Sequence, residues 1–352
     1  MIPNHTKSLV GLCLLLFLGC VPAKEDNSTS KENLCRYSEY LQITPLNFGF
    51  RVQLRNPDNS GQIQSFVIDR AYSRIALLSA THVGMMAALK QQTKICAVSD
   101  YKYVYDKQLK ELMRQAKIMD LRVEMGFSAQ KILQSRAEVV VYSGFGNESQ
   151  QLQRLPNNKI VQIPNYEWRE NTPLARAEWV LLFGVLCGKF EEAQLVFKSV
   201  EDNYLKVKKE IEKNQTCNQS KVLISGNLYG DQWVAPAGES FEAQLYKDAG
   251  LAYLFCNEKG TGSIFKSLPE ILQKSQIVNL WLNPGVSSRK KILQQYPKAK
   301  YFPFYKDSIY CYTANTNKYW ELAAVHPDWL LSDLHCIAIG KPKKLHFYAL
   351  LK

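Results

Sequence analysis

The sequence predicts an α/β protein with two Rossmann-like lobes, mainly parallel sheets and one long helix between them. Three observations carry that expectation. Short apolar runs bounded by turn residues recur along the chain and alternate with helical stretches, as strands buried on both faces do. The same alternation occurs on both sides of a central segment. That segment, residues 190–213, contains no Pro or Gly. Its Ala193, Phe197, Val200, Tyr204, Val207 and Ile211 are spaced 4-3-4-3-4, a single stripe down a helix of roughly 35 Å.

A chain of 352 residues suggests two domains. With 46% hydrophobic and 22% charged residues it can bury substantial cores and has no collagenous, disordered or coiled-coil bias. The net charge of +12 raises the question of nucleic acid. No arginine-rich arm, zinc-finger spacing or recognition-helix pattern is present, and the lysines are spread out, with small clusters at 206–209 and 341–344. A basic solvated surface suited to acidic lipid or an anionic ligand is the simpler reading, and no nucleic acid is expected.

The first residues set the expected location. One Lys precedes the apolar run at residues 9–18, which is too short to span a bilayer and reads as the core of a signal peptide. It ends on "LFLGC", which resembles a bacterial lipobox with Cys20 as the acylated residue and residues 1–19 as the signal; Phe17 stands where that motif prefers Leu. Residues 20–33 then form a polar tether. An exported protein, lipid-anchored to a membrane and facing the periplasm or cell envelope, is the expectation. Loss of Lys7 with the signal leaves +11. Seven of the nine cysteines remain once Cys13 and Cys20 are set aside, so at least one is free or pairs with another chain. Cys96 and Cys187 lie in apolar runs and read as core residues.

The elements follow in order. Phe48, Phe50, Val52 and Leu54 alternate before the turn "NPDNSG", and "IQSFVI" completes a hairpin. "RIALLSATHVGMMAAL" reads as strand, turn and helix, and "KICAVSD" as a strand. "SAQKILQS" opens a helix capped by Ser128, with "EVVVYSG" and "KIVQIPN" as strands after it. Thr172 and Pro173 start a helix that runs to Gly188, where the long helix begins. Beyond Asn214 come the strand "KVLISGN", the helix "ESFEAQLYKDAG" and the helix "SLPEILQKS", with Ser267 and Glu270 as a capping box. The strand "QIVNLWLNPG" and the helices "RKKILQQY" and "HPDWLLSDLHCI" close the series. The expected divisions are an N-terminal lobe over 34–165, linking helices over 166–214 and a C-terminal lobe over 215–352. A ligand would sit where the carboxyl ends of the two sheets meet.

The stretches "SRIALLSATHVGMMAALKQQTKICAVSD", "SAQKILQSRAEVVVYSG", "NTPLARAEWVLLFGVLCGKFEEA", "DQWVAPAGESFEAQLYKDAG", "VNLWLNPG" and "YWELAAVHPDWLLSDL" occur in that order from Tyr72 onward. Together they resemble the helical-backbone class of substrate-binding lipoproteins, which serve ABC importers of cobalamin, haem and ferric siderophores. "TPLARAEW" is similar to versions from Bacteroidetes-type bacteria. The resemblance implies capture of an iron chelate or corrinoid in the cleft, handed to an ABC transporter permease, with no chemistry done on the ligand and no cofactor.

Candidate ligand-binding residues follow from strand ends and aromatic loops: Thr81 and His82 in "SATH"; Tyr101, Tyr103 and Tyr105; Tyr166 and Trp168; Tyr229 and Trp233; Trp281; and Tyr312. For each, loop anchoring is the alternative. His82 could ligate a chelated metal or cap its helix, and His326 reads as an N-cap region. Arg176 and Glu178, inside a helix, read as structural. The resemblance also implies one permease-docking glutamate per lobe, early in "SAQKIL" and "SLPEIL". The matching positions hold Gln130 and Pro269, with Glu270 next to the second and Glu124 near the first in another register. This departure weakens the docking pattern. It leaves room for a scavenging lipoprotein without a standard permease. A bare zinc or manganese binder using His82 and His326 is a further alternative, although five histidines and no His-rich loop supply few ligands. No GxSxG, Walker A or HExxH pattern occurs, so an enzyme is not expected.

Overall fold

The computed structural model describes residues 32–59, 61–99, 101–124, 126–144, 146, 148–155, 160–214, 221–306, 308–312, 318–341 and 344–352. The signal peptide, Cys20, nearly all of the tether, Cys217 and residues 313–317 lie outside them.

Strands β1 (Leu41–Pro45), β2 (Phe50–Arg55) and β3 (Ile63–Ile68) form an antiparallel sheet in that order. The period-two pattern buries Leu41, Ile43, Val52 and Leu54 on one face. The expected hairpin is β2–β3; β1 is a third strand that the sequence reading did not mark.

The first large sheet is built from β4 (Ile75–Leu77), α1 (Ala80–Ala88), β5 (Ile95–Val98), α2 (Lys107–Arg114), β6 (Met119–Asp120), α3 (Ala129–Gln134), β7 (Val139–Tyr142), α4 (Glu148–Leu152) and β8 (Val161–Pro164). All its pairs are parallel, in the order β6-β5-β4-β7-β8. The continuous apolar runs reflect this, since β4, β5 and β7 are buried at every residue. The chain winds outward from β4 to β6, then returns to β7 on the other side of β4. The switch point therefore lies between β4 and β7, and a crevice opens beyond their carboxyl ends.

Next come α5 (Pro173–Glu178), α6 (Val180–Cys187) and α7 (Phe190–Asn214). The single helix expected from Thr172 to Gly188 is broken at Trp179, but both ends hold: Thr172 caps Ala175 N, and Gly188 is left-handed at φ 65°. The long helix matches its expected span. Its stripe reaches both cores: Ala193, Phe197 and Val200 pack with the first sheet, Tyr204 and Ile211 with the second. This is the physical reason for a long one-sided helix at the centre of an α/β chain.

The second series runs β9 (Val222–Ser225), β10 (Asn227–Tyr229), β11 (Gln232–Pro236), α8 (Phe241–Asp248), β12 (Ala252–Tyr253), β13 (Ser263–Ser267), α9 (Leu268–Lys274), β14 (Leu280–Leu282), α10 (Arg289–Gln295), β15 (Ser308–Cys311), α11 (Lys318–Leu322), α12 (Pro327–Ala338) and β16 (Ala349–Leu350). Its main sheet has the order β12-β9-β14-β15-β16, parallel except for β16. A small antiparallel sheet, β10-β11-β13, stands beside it.

One close contact joins the halves, and a set of carboxylates fixes the entry to the first. Gly84 lets α1 approach α11 so closely that a Cβ there would lie 1.7 Å from the Glu321 carbonyl oxygen. Three buried carboxylates also pin the segment leading into β1. Glu178 accepts from the N–H groups of Arg36, Tyr37 and Ser38 at 2.7, 2.9 and 2.8 Å. Glu170 takes the Ser38 hydroxyl and the Trp179 indole, and Glu201 the Arg36 guanidinium and Tyr37 hydroxyl. Glu178 is thus structural, as the sequence reading had it. No helix among the described residues is long and apolar enough to cross a membrane.

Candidate ligand-binding cleft

A cavity of about 830 Å³ occupies the carboxyl end of the first sheet. Leu77, Leu78 and Val98 at the strand ends form its floor, with Ser79 and Thr81 at the start of α1, Tyr103 after β5, and Phe127 and Trp320 around the rim. Ser79 caps α1, accepting from Thr81 N at 3.3 Å. A second cavity of about 620 Å³ adjoins it, since Thr81 and Trp320 line both. From the first half it takes Trp168, Arg169 and Arg176. From the second it takes β11, the first turn of α8, Tyr312, Tyr319 and Trp320. The second half thus contributes its small sheet, α8 and α11, in addition to Tyr312 just past β15. The combined space suits a ligand larger than a common metabolite.

The walls are aromatic and held in place. Tyr312 and Tyr319 stack at 3.5 Å, and Trp320 stands edge-on to both at 5.4 and 5.5 Å. Trp168 donates its indole N–H to Ser143 O at 2.8 Å, which fixes its ring, and Arg169 lies over it at 5.2 Å. Burial raises the Tyr312 and Tyr319 hydroxyls above their ordinary range, so both remain neutral donors. Such rings offer stacking faces with little side-chain freedom left to lose.

The arginines of the cleft already have carboxylate partners. Arg176 is ion-paired through Nε with the buried Glu167 carboxylate and stacks over Phe241 at 4.4 Å. Burial opposes its charge, but the Glu167 charge and hydrogen bond outweigh this and hold the guanidinium above its ordinary value. Arg169 pairs with Asp58 at 2.9 Å, and Arg122 with Asp120 at 3.4 Å. Burial raises Glu242, with Arg176 pulling the other way.

The structure brings together some of the expected residues and separates others. Thr81, Tyr103, Trp168 and Tyr312 line the two cavities. Trp233 and Trp281 do not, and this corrects their reading as cleft residues. They are 0% and 1% exposed, packed on each other at 5.3 Å with Phe302 and Phe304, and they donate to Ser225 O and Gly226 O. The physical reason is that Trp233 sits within β11, at an inward position of its alternation, and Trp281 at the centre of β14.

Tyr166 is buried edge-on to Trp179 at 6.5 Å, with burial raising its hydroxyl to about 12. His82 is buried against Phe183 on the inner side of α1, where Ser79 does the capping. Burial lowers its pKa to about 4, so it is a neutral core residue. Tyr101 is tied to Ile118 O, Tyr229 is 78% exposed on β10, and Tyr105 stands outside both cavities. His326 holds the cap position of α12 without a capping bond and stacks on Trp329 at 3.9 Å. Among the described residues no three His, Cys, Asp or Glu side chains converge as a metal site.

Arg169, Glu242, Tyr319 and Trp320 are cleft residues that the sequence reading missed, and Arg176, expected to be structural, also lines the cleft. Only the quoted "YWEL" hinted at Tyr319 and Trp320; the others are polar residues on helical turns with no motif to mark them. At the expected docking positions, Gln130 and Pro269 are exposed. Glu270 does not complete a reciprocal box. Ser267 caps its N–H, while its carboxylate is engaged by Lys274 at 2.8 Å and Lys266 at 3.3 Å.

Two mainly parallel lobes on a helical spine, with a cavity pair between them, define the architecture of a periplasmic solute-binding protein, and this chain has that fold. No family model matches it. An uncharacterized lipoprotein of Methanocaldococcus jannaschii is 26% identical over 300 residues, covering 80% of this chain and 69% of that one. A periplasmic heme binding protein from Pseudomonas aeruginosa superposes with TM-score 0.60 at 13% identity, covering 80% of this chain and 98% of that one. The periplasmic vitamin B12 binding protein of Vibrio cholerae gives 0.56 at 14% identity, over 77% and 98%. An Fe3+-hydroxamate transport protein from Saccharomonospora viridis gives 0.57 at 16% identity, over 82% and 98%. At these identities the likeness is one of fold.

Proposed function

We propose that this protein captures a bulky metal chelate, a ferric siderophore, haem or a corrinoid, in the paired cavities and delivers it to an ABC importer. The observation that carries this reading is the join at Thr81 and Trp320, which makes one aromatic-walled space out of residues from both halves. The named ligands of the similar structures support it. The relative described as a lipoprotein supports export and lipid anchoring; the anchor proposed is Cys20 with residues 20–33 as tether, and the proposed divisions of the body are 34–165, 166–214 and 215–352. The ligand is held and released without reaction.

A second reading has a specific observation behind it. Gln130 and Pro269 carry no charge, and Glu270 is neutralised by two lysines. A scavenging lipoprotein without standard permease docking would keep the cleft and lose the importer. One titration tests capture: the full chain in mild detergent against cyanocobalamin, hemin and ferric hydroxamates, followed by calorimetry and visible absorbance. Saturable one-to-one binding of one class supports capture. Silence from all three, with thermal stabilisation by zinc or manganese, would replace it with bare-metal binding. Stimulation of an importer's ATPase by the loaded protein separates the two capture readings.

A further inference from the structure

We propose that the cleft selects a neutral or cationic chelate carrying hydrogen-bond donors, and that Glu242 sets this preference; the inference rests on the capture reading above. The protein's net charge of +12 points the other way, toward an anionic ligand. The cleft does not share that bias.

Four cationic side chains line the two cavities: Lys102, Arg122, Arg169 and Arg176. Each arginine already has a carboxylate partner, Asp120, Asp58 and Glu167 respectively. Glu124, Glu148 and Glu242 line the cavities as well, so three lining carboxylates stand beside four lining cations, three of which already have carboxylate partners. Of the pairs, Arg176–Glu167 matters most, because its side chains are only 13% and 3% exposed. An anionic ligand that displaced Glu167 from the Arg176 Nε would strand a buried carboxylate, and one that reached the remaining guanidinium N–H groups would meet a charge that Glu167 already offsets. Arg176 is therefore a neutralised wall of the site and not an open anion receptor.

Glu242 is the complement. It sits in the first turn of α8, half-buried on the cavity wall beside Phe241, and makes no ion pair among the described residues. Burial raises it against the pull of the Arg176 charge and of its own backbone N–H, as expected of a carboxyl on a half-buried wall with no ion-pair partner among the described residues. A ligand amide or ammonium would satisfy this oxygen pair between the Tyr312–Tyr319 stack and Phe241, whereas a ligand carboxylate would meet it with like charge.

The test uses probes that change charge on a fixed scaffold, bound to the full chain in mild detergent. Ferrioxamine B, a cation, is compared with its anionic N-succinyl derivative, and neutral cyanocobalamin with its anionic tricarboxylic derivative. On whichever scaffold binds, the uncharged or cationic member is expected to bind about tenfold tighter. Glu242→Gln should reduce that ratio to within about threefold, and so should about 0.5 M salt on the unmutated protein. Equal or tighter binding of the anionic members overturns the inference while leaving capture intact, as does a ratio that neither the variant nor salt reduces. Hemin, anionic through its propionates, is titrated beside them: binding of hemin alone overturns the inference while leaving capture intact, and silence from hemin and all four overturns the capture reading, and the inference with it.

Discussion

The carboxylate of Glu321 accepts a hydrogen bond from the backbone N–H of Asp106 at 3.0 Å and a second from Tyr105 N, tying α11 of the second half to the start of α2 in the first. Glu321 is 1% exposed. Burial raises its pKa to about 7, against the pull of those two donors. A carboxyl raised in the folded state binds more protons there than when unfolded. Its contribution is thus fully present at low pH and is lost as pH rises from about 4.5 to about 7. His82, lowered to about 4, works in the opposite sense and loses stability as pH falls below about 6.5. Glu321→Gln keeps an acceptor and removes one titration. Relative to wild type, its unfolding free energy should gain by up to about 3 kcal/mol between pH 4.5 and 7.5. Urea denaturation of both proteins at each pH measures this, and parallel curves would refute it.

Glu178 faces three consecutive N–H groups, those of Arg36, Tyr37 and Ser38, and is itself fully buried. Glu178→Ala leaves those donors unpaired, each worth about 1–3 kcal/mol when buried. The segment lies at the start of the described body, so it can relieve the loss by detaching. The expected result is local: amide exchange at residues 33–40 should accelerate by about a hundredfold, with a smaller drop in global stability. Exchange unchanged at those residues would mean that Glu170 and Glu201 hold the segment alone.

Much of this architecture was legible because its causes are local. The stripe from Ala193 to Ile211, the caps at Ser128, Thr172 and Ser267, and the apolar strands around Val139 and Leu280 follow from spacing and side-chain chemistry within a few residues. What failed depends on one-residue register or on distant pairing. An indole within a strand faces core or cleft according to parity in a half-covered sheet, as for Trp233 in β11, and is buried either way in a strand covered on both faces, as for Trp281 in β14. Arg176 reads as an ordinary helix residue until Glu167 and Phe241 are placed beside it. Nothing near residue 242 in the sequence indicates that its carboxylate makes no ion pair among the described residues.

The α7 stripe gives a test of coupling. Phe197 packs in the first core, Tyr204 in the second, and Tyr204 donates to Asp248 at 2.7 Å. Phe197→Asp buries an unpaired charge and should cost about 4 kcal/mol or more. Because one rigid helix spans both cores, calorimetry should show one transition moving as a whole. Two transitions with only one displaced would count against a shared spine. Tyr204→Phe, which leaves Lys208 and Gln244 on Asp248, should cost only about 1 kcal/mol.

Trp320 and Trp281 separate cleft from core by opposite outcomes. Trp320 is 43% exposed, lines both cavities and stands edge-on to the Tyr312–Tyr319 pair. Trp320→Ala removes a stacking face from the middle of the joined space, while little of the ring is lost from any core. Affinity for the bound chelate should fall about tenfold or more, with less than about 1 kcal/mol lost in stability. Trp281 is 1% exposed and bonded to Gly226 O at 2.9 Å. Trp281→Phe opens a cavity among Trp233 and Phe304 and orphans the Gly226 carbonyl, so it should cost about 2–3 kcal/mol. The cleft lies elsewhere, so affinity measured well below the lowered melting temperature should stay within about twofold. If instead Trp281→Phe abolished binding in a stable protein and Trp320→Ala did not, the ligand would lie over the second sheet and not at the join of Thr81 and Trp320.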